Sequence, residues 1–357
     1  MTFTPKFLAT GVGSMPFPDT ESAIRLSFDE LKESPIWPQL PQTGLKEQMD
    51  VQYSEGIPCI KIDYEKNRMY FDTSGDYSEA FAEFYEAYMM AMDPDEGNGD
   101  CSALAISPEF SKGIYAAEKA LKERNLSLPY FKVHTTGPCT FALNTVDENK
   151  RAIYYNEEFL DVIVKALAMK CRWQIQKFSS FADQIICFID EPILSAFGSS
   201  TYVSVKREGI VSQLNEVIEA VHMDNGIAGV HCCGNTEWSI LVDAGVDILN
   251  FDAFEFGESI TMYPESIKTL LNRGGSIAWG IVPTSPVINE QTVEKLADRL
   301  DETMNQLASK GIDKQLMLER AIITPSCGTG SLSIEDARRV FQMTNKLSQH
   351  LKQKFGF

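Results

Sequence analysis

A histidine and a cysteine two residues apart form the most chemically specific pattern in the sequence, in the segment GVHCCGN at 229–235. Because successive side chains of a β-strand point to opposite faces, His231 and Cys233 would share one face while Cys232 points away. Imidazole and thiolate are ligands that zinc prefers, and a zinc site needs about four ligands. The segment therefore predicts half of a zinc site, with Cys232 left to packing.

Two further candidate ligands follow later strands. Glu255 closes the next predicted strand, in NFDAFEFG, and Cys327 follows the last one, in PSCGTG. A single cysteine or histidine is most often an ordinary core residue, but ligand-type residues after three strands favour a metal centre, and we predict that these four side chains bind Zn²⁺. The other cysteines have no ligand-type neighbour and are predicted to pack in the core: Cys59, Cys101, Cys139, Cys171 and Cys187.

Two thiolates and one carboxylate would leave such a zinc site with a net charge of about −1. That charge is poorly suited to polarising a carbonyl group or acidifying water. It suits a bound thiol, because a free thiol with a pKa of about 8.5 is only slightly ionised at neutral pH and zinc deprotonates it outright. The predicted chemistry is alkyl transfer to sulfur.

Short β-branched runs alternate along the chain with longer amphipathic segments, such as 157–180 and 290–310. This pattern predicts parallel strands covered by helices, and eight strand–helix units close a TIM barrel whose active site lies at the carboxyl ends of the strands. A doubly wound sheet is disfavoured, because no G-x-G-x-x-G segment is present. The predicted strands are Phe7–Gly13, Pro35–Leu40, Phe131–Thr136, Gln184–Asp190, Gly226–His231, Val246–Phe251, Ser276–Ile281 and Ala321–Thr324.

We predict one α/β domain over residues 1–357, a (β/α)8 TIM barrel with an insertion at about 41–130 between the second and third strands. Pro35 and Pro38 make the second strand the weakest of the eight, since proline has no N–H for a strand ladder. The insertion contains a predicted hairpin, CIKIDYEKNRMYFDTS, and a predicted helix, SEAFAEFYEAYMMAM. Its polar stretch DPDEGNGD lacks the ligand spacing of a calcium loop and is predicted to be solvated.

Composition restricts the classes of function. The chain has 357 residues, of which 44% are hydrophobic, and this is enough for a large core. The 50 acidic and 32 basic residues give a net charge of −18, which argues against nucleic-acid or membrane partners. No long apolar run or secretion signal is evident and the cysteines are irregularly spaced, so a cytoplasmic protein without disulfides is expected.

The ordered segments GSMP, TTGPCT, IDEP, HCCG, Glu255 and PSCG resemble the C-terminal catalytic barrel of cobalamin-independent methionine synthase. They are also similar to the uroporphyrinogen-decarboxylase-fold methyltransferases, which move methyl groups from corrinoid proteins to thiols. The similarity runs from about residue 9 to residue 345, and the chain as a whole resembles a short core methionine synthase. It implies that His231, Cys233, Glu255 and Cys327 are the zinc ligands and that the thiol substrate displaces or joins Glu255.

The resemblance also implies a site for an amino-acid substrate. Val12, Gly13 and Ser14 match the family's Ile-Gly-Ser segment, which holds the substrate carboxylate, and Asp190 matches the acid that receives the ammonium group. The alternative is that Ser14 and Asp190 cap the following helices. His134, in HTTGP, is open to two interpretations: it binds the methyl donor or orients a ligand, or it is structural.

Departures from the family pattern concern the methyl donor and the substrate amine. Asn144 stands where the family has a folate-stacking tryptophan, and Thr284 stands where it has a histidine that protonates the departing folate. Thr43 replaces an acid that binds the amine, with Glu47 as a stand-in. Because a corrinoid leaves without a proton or a stacked ring, we expect a methyl-corrinoid as donor, free or on a partner protein, rather than methyl-folate.

The sequence thus predicts a zinc-dependent methyltransferase that makes methionine from homocysteine. Two alternatives stay open: methyl transfer to another small thiol such as coenzyme M, and a barrel that binds a corrinoid or zinc without catalysis. Decarboxylation of tetrapyrroles on the same fold is disfavoured, because binding propionates needs arginines near the first strand and only Arg25 is there.

Overall fold

The computed structural model describes residues 3–93 and 99–357, so most of the predicted solvated loop DPDEGNGD lies outside the described residues. The strands are β1 (Leu8–Ala9), β2 (Ile60–Asp63), β3 (Arg68–Phe71), β4 (Leu128–Thr136), β5 (Val146–Asp147), β6 (Ala182–Asp190), β7 (Ile227–Cys232), β8 (Ile248–Phe251), β9 (Ser276–Val282) and β10 (Ala321–Pro325). The α-helices are α1 (Thr20–Glu30), α2 (Met49–Gln52), α3 (Ser78–Met92), α4 (Lys112–Glu123), α5 (Pro138–Asn144), α6 (Glu157–Phe178), α7 (Arg207–Met223), α8 (Ser239–Asp243), α9 (Ala253–Phe256), α10 (Pro264–Asn272), α11 (Val293–Ser309), α12 (Lys314–Glu319) and α13 (Ile334–Phe355). Among these described helices, none has the length and apolar character needed to cross a membrane.

Seven parallel strands form the main sheet, in the order β1-β10-β9-β8-β7-β6-β4. On one face of this sheet, which we call the inner face, apolar side chains form their own cluster. Its members are Leu8, Ile186, Phe188, Ile227, Ile248, Ala278 and Ile322. The opposite face packs against the helices in the main core. The expectation of an α/β fold with parallel strands and surrounding helices is therefore confirmed.

The expected closed eight-stranded barrel is not formed, because Pro35–Leu40 is not a strand. Residues 35–39, which we call the linking segment, contact both edges of the seven-stranded sheet through isolated parallel bridges, Ile36 to Lys132 and Ser14 to Gln39. At one edge, the amide of Lys132 donates to the carbonyl of Pro35 at 3.0 Å. At the other edge, the amide of Gln39 donates to the carbonyl of Gly13, which follows β1, at 3.2 Å. These contacts do not continue into a regular strand ladder. Two prolines without N–H groups leave the segment too few donors for a ladder, so the fold is TIM-like with seven strands.

The segment between the linking segment and β4 carries its own small sheet. The predicted hairpin is confirmed, since β2 and β3 pair antiparallel, and β3 also pairs in parallel with β5, which follows α5. The predicted helix coincides with α3. Buried Lys170 of α6 fastens this segment to the barrel helices, because its ammonium donates to the carbonyls of Glu55 at 2.6 Å and Leu104 at 3.2 Å.

Candidate metal centre at the carboxyl ends of the strands

Three of the four predicted ligands meet at one point. A ring nitrogen of His231 and the sulfurs of Cys233 and Cys327 all lie within 4.8 Å of one another. His231 is on β7 and Cys233 follows its last residue, while Cys327 lies two residues beyond the end of β10. Parallel strands present their carboxyl ends at the same edge of the sheet, and this brings residues distant in the sequence together.

The orientation of His231 is set by a buried amide on the neighbouring strand. Asn250 of β8 is paired with His231 in the ladder, and its Nδ2 donates to the carbonyl of Ala278 at 2.8 Å and to the hydroxyl of Thr324 at 2.9 Å. Its Oδ1 therefore faces Nδ1 of His231, 2.6 Å away, and accepts a hydrogen bond from the Nδ1–H group. This fixes the tautomer in which Nε2 carries no proton, and Nε2 is buried without a hydrogen-bond partner among the described residues.

The two thiols influence each other strongly. A hydrogen bond from Cys327 and the neighbouring His231 ring lower the pKa of Cys233, so its thiolate is the favoured form. The same contact with Cys233, together with burial, raises the pKa of Cys327. Two sulfurs and an unprotonated ring nitrogen that converge on one point match the donor set that zinc prefers, so the residues present fit this metal.

Glu255, the carboxylate expected to complete the metal centre, lies outside the cluster formed by the other three predicted ligands. Glu255 lies on the short helix α9, its side chain is exposed, and it is not a member of the three-residue cluster. Asp252 lies directly after β8, one residue beyond the ladder partners Cys232 and Phe251, and is 9% exposed. Burial raises the pKa of Asp252 to about 6. Neither Asp252 nor Glu255 belongs to the His231/Cys233/Cys327 cluster, and Asp252, which the sequence analysis did not single out, is the more buried of the two.

The Val12–Ser14 turn, which follows β1, contacts the loop that carries Cys327. The carbonyl of Ser14 accepts hydrogen bonds from the amide of Thr329 at 2.8 Å and from its hydroxyl at 3.0 Å. The hydroxyl of Ser14 accepts one from the amide of Gly330 at 3.3 Å. The predicted substrate-binding turn and the predicted metal ligand Cys327 are therefore neighbours, although they come from opposite parts of the chain.

Asp190 and Glu191 have different surroundings. Asp190 ends β6, is 8% exposed and is paired in the ladder with His231, and its Oδ1 has no hydrogen-bond partner among the described residues. Burial raises the pKa of Asp190 to about 6. Glu191 points the other way and accepts hydrogen bonds from the amides of Cys139 at 2.9 Å and Thr140 at 2.8 Å, at the start of α5. Glu191 is thus the cap of α5, and Asp190 does not take that role.

His134 lies beneath the Val12–Ser14 turn. Its ring stacks on Trp37 with centroids 3.8 Å apart, and both ring nitrogens are buried without a partner among the described residues. Burial lowers the pKa of His134 well below its usual value, so the ring is neutral. A Cβ on Gly13 would lie 2.8 Å from Nε2 of His134, which explains why a glycine occupies the turn above it.

The positions that depart from the family pattern also have defined surroundings. Glu47, the expected stand-in for the amine-binding acid, instead accepts a hydrogen bond from the amide of Lys112 at 2.8 Å, where α4 begins. Asp50 lies closer to the strand ends, 3.4 Å from the hydroxyl of Thr136 and 3.4 Å from the amide of Asn144. Burial raises the pKa of Asp50 to about 6.

Thr284 follows β9 and lies beside the loop that carries Cys327. Its hydroxyl lies 3.0 Å from that of Ser326, the residue before Cys327. Neither hydroxyl is acidic near neutral pH, so this pair cannot supply the proton that an imidazole there would supply.

The fold defines a TIM-like α/β protein with a His/Cys/Cys cluster at the carboxyl ends of its strands. The chain matches no protein-family model and no curated protein. Among solved structures it is similar to a B12-independent methionine synthase from Shewanella sp. W3-18-1 in complex with selenomethionine, with a TM-score of 0.58, 13% identity and 98% of both chains covered. A Bacteroidetes-affiliated GH5 cellulase gives a TM-score of 0.41 at 10% identity, covering 68% of this chain and 79% of that one. At such identities the first comparison shows a shared fold.

Proposed function

We propose that the chain is a zinc-dependent methyltransferase that transfers a methyl group to the sulfur of homocysteine and so forms methionine. The observation that carries the proposal is the convergence of His231, Cys233 and Cys327 within 4.8 Å beside the Val12–Ser14 turn. A thiolate-rich zinc ion, when bound, would hold a substrate thiol in its nucleophilic, deprotonated form.

The surrounding residues suit an amino-acid thiol. Asp190 offers a buried carboxylate oxygen without a partner among the described residues, and an ammonium group would satisfy it. The Val12–Ser14 turn would receive the substrate carboxylate through its amides and hydroxyl. His134 is neutral and lies below the turn, so we assign it to supporting the turn and the bound substrate rather than to proton transfer.

We propose His231, Cys233 and Cys327 as three of the metal ligands and a carboxylate of the β8–α9 turn as the fourth. Glu255 is the carboxylate favoured by the sequence, but the burial of Asp252 and its position directly after β8 favour Asp252. Zinc content after dialysis distinguishes the two: we expect Asp252→Asn to weaken zinc retention by about tenfold or more and Glu255→Gln to leave it unchanged. The reverse pattern would reinstate Glu255.

The methyl donor we propose is a methyl-corrinoid, free or carried by a partner protein. Asn144 is exposed and hydrogen-bonded to Asp50, so it offers no aromatic face for a folate ring. The hydroxyl pair of Thr284 and Ser326 offers no acid for a departing folate nitrogen. A corrinoid leaving group needs neither feature.

The test is an anaerobic assay of zinc-loaded protein with methylcobalamin, in which homocysteine and coenzyme M are offered separately and methylated products are measured by mass spectrometry. We expect methionine, and we expect Cys233→Ser to abolish it. Cys59→Ser is the matched control, because Cys59 is a partly exposed cysteine outside the cluster. Methylation of coenzyme M alone would keep the chemistry but reject homocysteine, and zinc binding without any product would refute catalysis with this donor.

A further inference from the structure

A charged lysine lies on the inner face of the sheet, where apolar side chains normally fill the space. Lys132 of β4 is fully buried, and in the ladder it is the partner of Ile186, a member of the inner-face cluster. Burying an ammonium group is costly unless the structure gives it partners of matching charge or polarity. We therefore expect the ammonium group of Lys132 to have a role other than packing.

Lys132 contacts the Val12–Ser14 turn of the proposed substrate site. Its ammonium donates a hydrogen bond to the carbonyl of Val12 and lies 4.4 Å from the centre of the Phe188 ring. Asp190 and Lys132 act on each other electrostatically: the carboxylate opposes the fall in the lysine's pKa that burial causes, to about 8. Lys132 is therefore still mainly protonated at pH 7, and its charge partly balances that of Asp190.

The bond to Val12 places Lys132 under one side of the turn, while the Cys327 loop holds the other side. Ser14 accepts two hydrogen bonds from Thr329, so the turn is fixed between a buried cation and the metal-ligand loop. Loss of the cation would free the Val12 carbonyl and loosen the turn on that side. This change would affect the recognition of an amino-acid carboxylate more than it affects the metal cluster.

We propose that Lys132 is a positioning residue for the α-amino-acid part of the acceptor, because its hydrogen bond to Val12 fixes the Val12–Ser14 turn that would receive the acceptor's carboxylate. The proposal rests on the proposed function and deepens it, because it names a residue through which the site would prefer an amino-acid thiol to a plain thiol.

The experiment compares Lys132→Met with Lys170→Met in the zinc-loaded protein. Lys170 is a matched control, because it is also fully buried and also donates to backbone carbonyls, but on α6 away from the strand ends. Calorimetry would measure binding of L-methionine, and zinc content would be measured alongside. Each hydrogen bond from the turn to the charged carboxylate of methionine would contribute about 10- to 100-fold to binding. Because Lys132→Met would displace the turn, we expect it to weaken methionine binding by about tenfold or more with zinc content unchanged. Lys170→Met should stay within about twofold of the wild type.

Kinetics give a second readout. Lys132→Met should raise KM for homocysteine with little change in kcat, and it should leave KM for 2-mercaptoethanol unchanged, because that thiol has no amino-acid head group. If Lys132→Met does not fold, Lys132→Gln replaces it, since glutamine keeps an N–H donor but removes the charge, and the expected direction is the same.

Unchanged methionine binding in the folded variant would overturn the proposal, as would loss of zinc in parallel with loss of binding, or no methionine binding by the wild type. Methionine binding that depends on Lys132, without methyl transfer in any assay, would instead refute the proposed function and leave the role of Lys132 intact.

Discussion

Replacing Asn250 by alanine gives the sharpest test of how the metal cluster is built. Asn250 is fully buried and links three groups: it accepts from Nδ1 of His231 at 2.6 Å and donates to the carbonyl of Ala278 at 2.8 Å and to Thr324 at 2.9 Å. The substitution leaves at least two buried polar groups without these partners. Each such group costs about 1–3 kcal/mol, so the free energy of unfolding should fall by at least about 2 kcal/mol.

The same substitution releases the ring of His231 from its fixed tautomer. Loss of an outer-shell partner of this kind weakens metal binding by about 10- to 100-fold, or about 1.4–2.8 kcal/mol. Competition with a chromophoric chelator would measure zinc affinity, and chemical unfolding would measure stability. We expect both to fall in Asn250→Ala.

Asn250→Asp separates orientation from folding. Its carboxylate still accepts from Nδ1 of His231 but cannot donate to the Ala278 carbonyl, so stability should fall while zinc affinity stays within about tenfold of the wild type. Asn250→Ala with unchanged zinc affinity would refute the argument that this amide sets the ring of His231. Equal zinc loss in both variants would show that folding, rather than orientation, controls the affinity.

Two further predictions concern positions away from the cluster. Gly137→Ala should destabilise the fold by about 1–3 kcal/mol, because a Cβ there would lie 2.2 Å from the buried Glu191 carboxylate; thermal unfolding checks this, and an unchanged melting temperature would contradict it. A hydrogen bond to Asp247 raises the pKa of His222 in the folded state, so its contribution to stability is present below about pH 6.5 and is lost as the pH rises through the raised pKa. We expect the free energy of unfolding, compared with that of His222→Gln, to fall over that range, and parallel pH profiles would contradict this.

Much of the fold and the centre of the site could be predicted from the sequence. Alternation of side chains along a strand was enough to pair His231 with Cys233, and the shared edge of parallel strands brought Cys327 to them. The same rule could not place Glu255, because β8 ends at Phe251 and the next residues form a helical turn capped by Asp252, where strand alternation no longer holds. The residue that directly follows β8 is Asp252, and we propose it as the alternative carboxylate ligand for this reason.

Other features depend on contacts that no local pattern encodes. Asn250 and Lys132 become significant only through the ladder registers that place them beside His231 and Ile186. The proline-containing segment 35–39 shows a different limit. Its apolar residues fit a strand, but the loss of N–H donors at Pro35 and Pro38 decides its conformation, and this leaves isolated bridges instead of an eighth strand.

The hydrogen bonds between Ser14 and the loop after Cys327 have a consequence for the order of events during synthesis. The ribosome makes chains from the amino terminus at about 5–20 residues per second, so Ser14 emerges long before Thr329, its partner at 2.8 Å. His231 and Cys233 are likewise synthesised before Cys327, the third member of the cluster. Neither the turn nor the three-donor cluster can therefore assemble on a nascent chain that stops short of β10, and we expect incomplete chains to be unable to sequester metal at this site.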